Sequence, residues 1–253
     1  MGSEAGADSV GELRMKIHFL GTRGNIAPRN RRHRMHSSML VSYDGSRVMV
    51  DCGEDWLGKV EAVAPDAITI THAHPDHAWG IKNGAGCPVY ASAQTWKDLG
   101  GAAVSDQREM PIRDPIDILG VTFEAFPVDH STVAPAVGYR ITAGRVSIFY
   151  VPDVVWIHAR DAALEGVRIY IGDGATITRS LVRRPGNELI GHVPARTQLT
   201  WCEKEGVPHA IFTHCGSEIV KGDERTLGAK LRRLARERGV KVEIAHDGME
   251  EVL

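Results

Sequence analysis

Within six consecutive residues, His72-Ala73-His74-Pro75-Asp76-His77, the chain places three imidazoles and a carboxylate. These side-chain types bind borderline divalent metals such as zinc. The plain alternative is a solvated loop that happens to hold histidines. Four donors on one turn argue against it, because unpaired cations packed together repel.

Donors so crowded need a firm platform. The run AITIT (67–71) reads as a short strand that ends directly in HAHPDHAWG, whose proline and glycine mark a loop. Upstream, MKIHFL, SMLVSY and RVMVD read as strands, the last two joined by the hairpin signal Asp44-Gly45. Downstream, VTFEAFPV (121–128), VGYRIT (137–142), VSIFYV (146–151), VRIYI (167–171), AIFTH (210–214) and VEIA (242–245) continue the pattern. Helices are expected at 194–205 and 223–238. With no repeat, linker or composition break, the economical fold is α/β (α+β), a four-layer αββα sandwich forming one domain over 15–253. Residues 1–14 read as a flexible leader.

HxHxDH after a short apolar strand resembles the hallmark of the metallo-β-lactamase superfamily. VMVDCG (48–53), FLGTRG (19–24), THCG (213–216) and HDGME (246–250) resemble further segments of the same family. The resemblance implies that His72, His74 and His130 hold one metal and that Asp76, His77 and His214 hold the other. Asp153 would bridge them, although Asp173 competes for that role, since both follow apolar strands. Two divalent ions, zinc or alternatively manganese or iron, would supply a hydroxide at neutral pH and stabilise charge on the attacked group. Asp76 is thereby placed among the catalytic residues as well as the ligands. Asp51 is expected to orient a ligand imidazole through its free N–H. The histidines at 18, 33, 36, 158, 209 and 246 are left structural.

Residues 189–216 resemble the Gly-His region and following helix of the phosphodiesterase branch, which includes tRNA 3′-processing endonucleases and phosphoribosyl cyclic phosphodiesterases. By that resemblance His192 faces the substrate phosphate and donates to developing charge or protonates the leaving oxygen. The run Arg29-Asn30-Arg31-Arg32-His33-Arg34 concentrates positive charge, with Arg31 and Arg32 its candidate phosphate contacts; a solvated loop explains it equally well. Two departures narrow the match. The interval between His130 and Asp153 holds only two strands and a turn, too little for the RNA-binding arm of the tRNA-processing enzymes. The cysteine-rich zinc site of the cyclic phosphodiesterases has no counterpart before Cys52.

These readings favour hydrolysis of a small cyclic or nucleotide-like phosphodiester, with RNA as a less favoured substrate. Opening of a lactone, thioester or β-lactam is the main alternative on the same centre. A di-iron oxidoreductase and a non-catalytic binding module are minor ones, since fold alone does not fix chemistry. A net charge of −2 over 253 residues excludes a general basic field, so any phosphate binding must come from a local patch. The four cysteines show no pairing pattern, and neither a signal peptide nor a membrane-length apolar run is visible, so a cytoplasmic location is expected. A homodimer is compatible with the sequence.

Overall fold

A computed structural model describes residues 13–253, so the leader expected at 1–14 lies almost wholly outside the described residues. Lys16–Gly21 (β1) alternates half-buried and buried side chains, the period-two pattern of a strand with one covered face. Ser38–Tyr43 (β2) and Ser46–Val50 (β3) form an antiparallel hairpin. Its turn residues Asp44 and Gly45 have φ of 48° and 80°, the left-handed pair that a two-residue hairpin turn requires.

Pairing then becomes parallel. Val60–Val63 (α1), Ala67–Thr69 (β4), Pro75–Ala78 (α2), Val89–Ala91 (β5), Ala93–Leu99 (α3) and Gln107–Glu109 (β6) follow, with a helix at each crossover between parallel neighbours.

The second half opens as an antiparallel meander of Ile116–Ile118 (β7), Val121–Asp129 (β8), Ala136–Ala143 (β9) and Val146–Tyr150 (β10). Trp156–Ile157 (β11) lies along β8, and Arg160–Leu164 (α4) leads to Ile169–Asp173 (β12). Next come Ala195–Lys204 (α5), His209–Thr213 (β13), Ser217–Lys221 (α6), Glu224–Arg236 (α7) and Lys241–Ile244 (β14). β10, β12, β13 and β14 are mutually parallel, and Glu250–Val252 (β15) returns to pair with β1.

The two sheets are ordered β15-β1-β2-β3-β4-β5-β6 and β11-β8-β9-β10-β12-β13-β14, with β7 beside β8. Three apolar layers hold them together. Phe19, Val41, Val50, Phe123, Tyr139 and Ile171 fill the space between the sheets. Met49, Ile68, Ile81 and Val89 belong to the core on the α1–α3 side, and Phe149, Tyr170, Leu199, Phe212 and Leu231 to the core on the α4–α7 side. Three cores separate four layers, so the expected αββα sandwich is the observed one. No helix among the described residues is long and apolar enough to cross a membrane.

Candidate metal centre

Parallel strands share a direction, so the residues that leave their carboxyl ends emerge along one edge of a sheet. Asp153 lies just beyond β10, Asp173 ends β12 and His214 follows β13. The other sheet contributes the segment after β4, where Pro75, at the first position of α2, turns Asp76 and His77 into a helix directly behind His74. His130 follows the last residue of β8, and His192 sits in the loop before α5. The sandwich thus delivers every candidate donor to one rim.

His72 Nε2 and His74 Nδ1 are 2.9 Å apart, and His130 Nε2 is 3.3 Å from the same His74 nitrogen. Asp153 Oδ2 approaches His72 Nε2 at 3.4 Å and His77 Nε2 at 2.8 Å, while its Oδ1 lies 2.9 Å from His214 Nδ1. Asp76 Oδ2 is 3.4 Å from His77 Nε2 and 3.2 Å from His214 Nε2. Two donor sets result: His72, His74, His130 and Asp153 in one, and Asp76, His77, Asp153 and His214 in the other. Within each, the ligand atoms lie within 4.8 Å of one another. Asp153 is the shared member. Asp173, the competing carboxylate, instead joins a third set with Asp153, His192 and His214.

The surroundings fix the ligand orientations. Asp51, fully buried and at φ 61°, accepts from Thr71 N–H at 2.8 Å and from the Thr71 hydroxyl, and its Oδ2 lies 2.8 Å from His77 Nδ1. His130 Nδ1 lies 3.0 Å from the Gly191 carbonyl, so that nitrogen carries the proton and Nε2 is left as the donor to the site. These contacts hold imidazoles in the tautomer a metal needs.

A metal-binding role can be tested on unmet polar demand. His77 Nε2, His214 Nδ1 and Asp153 Oδ1 are buried without a hydrogen-bond partner, despite the short separations just given. All three belong to the donor set whose ligand atoms lie within 4.8 Å of one another, a crowding of unpaired polar groups that suits a cation. The electrostatics divide the donors into neutral rings and proton-holding ones, His77 and His214, whose protons a metal ion would displace. Burial, reinforced by neighbouring imidazoles, pushes His72 well below the usual histidine range and His74 down to about 4, which favours neutral, metal-ready rings. Burial opposes the charge of His214, but Asp153 and Asp76 lift it to about 10. Burial likewise works against the ionised Asp76, yet His77 and His214 hold its carboxyl well below the ordinary range. The residues fit a pair of divalent ions.

His192 adds a different element. Its Nδ1 lies 2.8 Å from Asp173 Oδ2, and Asp173 is also held by the backbone N–H groups of Val154 and Ala175. Burial alone would lower this histidine, but Asp173 raises it above its ordinary value. The imidazole lines a cavity of about 330 Å³ together with His74, Asp76, His130, Asp153, His214 and Arg179. A second, open groove lined by His74, His130, His192 and Arg183 adjoins it.

A family profile described as the Beta-lactamase superfamily domain matches residues 46–215. The chain belongs to that superfamily. A ribonuclease Z from Methanopyrus kandleri is 27% identical over 175 residues, which cover 61% of each chain, so the match spans under two thirds of that curated relative. Among solved structures, the metallo-beta-lactamase fold protein YhfI from Bacillus subtilis superposes with a TM-score of 0.73 at 19% identity, covering 95% of this chain and 99% of its own. A diphosphatase from the PhnP family gives a TM-score of 0.68 at 22% identity, with coverages of 95% and 98%.

As a member of the beta-lactamase superfamily, the chain departs from its sequence reading at the arginines. Arg31 and Arg32 are exposed, and neither is among the residues lining the cavity at the donor sets. Arg32 lies 3.2 Å from Glu224 and flanks a separate cleft beside α7. Gly24, Asn25 and Ile26 still line the cavity, but the chain beyond them packs near α6 and α7, where Asn30 donates to the Val220 carbonyl. Arg179 is the arginine that reaches the cavity, and sequence reasoning missed it. Its position six residues past Asp173 was the only available signal.

Proposed function

We propose that the protein is a metal-dependent phosphodiesterase. His72, His74, Asp76, His77, His130, Asp153 and His214 would hold two divalent ions, with Asp153 shared between them. Mixed imidazole and carboxylate donors suit zinc. Bound there, the ions supply an activated water at neutral pH and Lewis acidity toward the phosphoryl group.

The observation that carries the reading is the buried Asp173–His192 pair beside the donor sets. Hydrolysis of a diester requires a proton for the departing alkoxide. Asp173 accepts a hydrogen bond from His192 Nδ1–H and favours the charged ring, leaving the opposite nitrogen free to protonate the leaving oxygen. Asp76, kept ionised by His77 and His214, can accept a hydrogen bond from the attacking water. Arg179 supplies positive charge for a phosphate in the cavity, and the adjoining groove gives room for the second ester substituent. A nucleotide-like diester suits this two-sided space. The ribonuclease Z relatives support the same chemistry and put RNA among the substrates to test.

The test is hydrolysis of bis-p-nitrophenyl phosphate by metal-analysed protein, beside a lactone and nitrocefin, with His192→Ala and Asp76→Ala. Turnover lost in Asp76→Ala is expected on every diester, and in His192→Ala on a diester with an alkoxide leaving group such as 2′,3′-cyclic AMP, assayed alongside, since p-nitrophenolate departs without a proton. Turnover confined to a carbonyl substrate, and indifferent to His192, would move the assignment to ester hydrolysis.

A further inference from the structure

On the outer face of the second sheet, a groove of about 240 Å³ lies between α4, α5 and the chain just beyond α7. It contains none of the donor residues described above. Arg196 and Lys204 lie eight residues apart along α5, about 12 Å at the helical rise, on the face opposite the buried Leu199 and Cys202. Arg160 and Arg238 add two further guanidinium groups, and Trp156 and Trp201 line the same groove.

The two tryptophan rings meet edge to face at 6.2 Å. The Arg160 guanidinium lies 4.8 Å from the Trp156 ring centre and 5.4 Å from that of Trp201. Trp156 is nevertheless 44% exposed.

Local structure accounts for part of this arrangement. Arg160 Nε donates to Glu205 Oε1 at 3.1 Å, although its buried Nη1 has no hydrogen-bond partner. Arg238 donates to the Thr200 hydroxyl and the Leu234 carbonyl, with Glu237 at 3.6 Å. Arg196 and Lys204 have no carboxylate partner among the described residues, and no carboxylate lines the groove. Lys204, in the last turn of α5, favours the helix dipole, but Arg196, in the first turn, opposes it, so the fold gains nothing from that charge. The exposed indole in the same groove offers a flat apolar surface where positive charge is concentrated.

We propose that this groove binds an unpaired nucleic-acid strand, with phosphates on Arg196 and Lys204 and a base stacked on Trp156. Single-stranded sites combine a cationic track along the backbone with aromatic platforms for the bases. A mononucleotide would engage one end of the track and leave the other cation bare. A duplex keeps its base faces stacked internally and gives Trp156 nothing to hold.

Trp156 is three residues from Asp153 and pairs with Asp129, the neighbour of His130, and α5 starts three residues after His192, so about 10 Å of chain separates the groove from the rim. A strand lying here would therefore be the extension of a diester engaged at the centre. That last link rests on the phosphodiesterase reading; strand binding itself does not.

The experiment is fluorescence anisotropy of full-length protein with fluorescein-labelled twelve-residue oligouridylate and oligodeoxythymidylate across a salt series, with probe integrity checked by electrophoresis. The variants are Arg196→Glu/Lys204→Glu, Trp156→Ala and a charge-matched control on the opposite helical layer, Lys82→Glu/Lys97→Glu. The expected result with at least one oligonucleotide is affinity weakened about tenfold or more by the first variant, with a shallower salt dependence of about 0.7 per lost phosphate contact. Trp156→Ala should weaken it several-fold and the control should leave it unchanged, with bis-p-nitrophenyl phosphate turnover preserved throughout. Equal losses in the groove and control variants would overturn the proposal, as would no binding of either strand at low salt. Tighter binding of AMP than of either oligonucleotide, read by tryptophan quenching, would also overturn it. If wild-type protein binds strands at the groove but hydrolyses no diester, the functional reading fails and the site stands.

Discussion

His192 and Asp173 act as a unit, because the carboxylate sets both the tautomer and the charge preference of the ring. Asp173→Asn should therefore lower kcat on a diester with an alkoxide leaving group, such as 2′,3′-cyclic AMP, by about two orders of magnitude, close to the loss from His192→Ala. The double variant should be little worse than either single one, since groups working together are not additive. Steady-state kinetics on the three proteins checks this, and fully multiplicative losses would separate the two residues. Asp51 acts differently, through His77 and Thr71 rather than on substrate. Asp51→Asn should keep the left-handed backbone tolerable and weaken metal affinity about 10- to 100-fold, measured by competition with a chromophoric chelator.

At the scale of elements, the loop after β1 pins the segment that carries His214. Cys215 N–H donates to the Thr22 carbonyl at 2.7 Å, and Gly24 N–H to the Cys215 carbonyl at 3.1 Å. A Cβ on Gly24 would stand 3.0 Å from the His214 ring, so the loop and the imidazole are in contact. Arg23, only 2% exposed, anchors the loop through Asp55 and the carbonyls of Gly24, Ile26 and Arg34. Asp55→Ala would leave a buried guanidinium without its charge partner, a change that costs about 3–5 kcal/mol. Thermal denaturation should show a midpoint lower by about 10 °C. The carboxyl end of β3 is equally tight. A Cβ on Gly53 would fall 2.0 Å from the Asp76 carbonyl oxygen. Gly53→Ala should displace α2 and with it Asp76 and His77, reducing the metal content of the purified protein by mass spectrometry.

Across the molecule, clustered donors and buried histidines couple stability to metal and pH. Ions that bind the folded chain alone raise its stability by mass action, so chelation should lower the denaturation midpoint and zinc should restore it in a concentration-dependent way. His33 gives a separate proton linkage. Burial, opposed by Asp247, pushes it from 6.5 down to about 4, and its Nδ1 lies 2.9 Å from the Thr22 hydroxyl. Below pH 6.5 the unfolded chain takes up a proton that the folded chain refuses until about pH 4, so the group's contribution is full above 6.5 and lost as the pH falls toward 4. His33→Asn should flatten the midpoint against pH over that window relative to wild type.

Much of this was written in local patterns. Strands such as SMLVSY, the Asp44-Gly45 turn and the two long helices were legible because alternation, turn residues and amphipathic spacing are properties of neighbouring residues. The stretch His72 to His77 was legible for the same reason. The two- and three-residue strands β5, β6, β7, β11 and β15 were not, since segments so short carry no period and exist because a neighbouring strand completes their hydrogen bonds. Asp153 and Asp173 are alike in local pattern, each a carboxylate after an apolar strand, and along the chain only the family resemblance favoured the first. Only the adjacent parallel positions of β10 and β12 direct the first toward the histidines and the second toward His192. The arginines show the same division. Sequence reported charge at Arg31 and Arg32, but the path of the loop took that charge to α7 and brought Arg179 to the cavity. Residue type and local spacing determine which chemistry a chain can perform, whereas contacts between distant segments depend on how the sheets and loops pack.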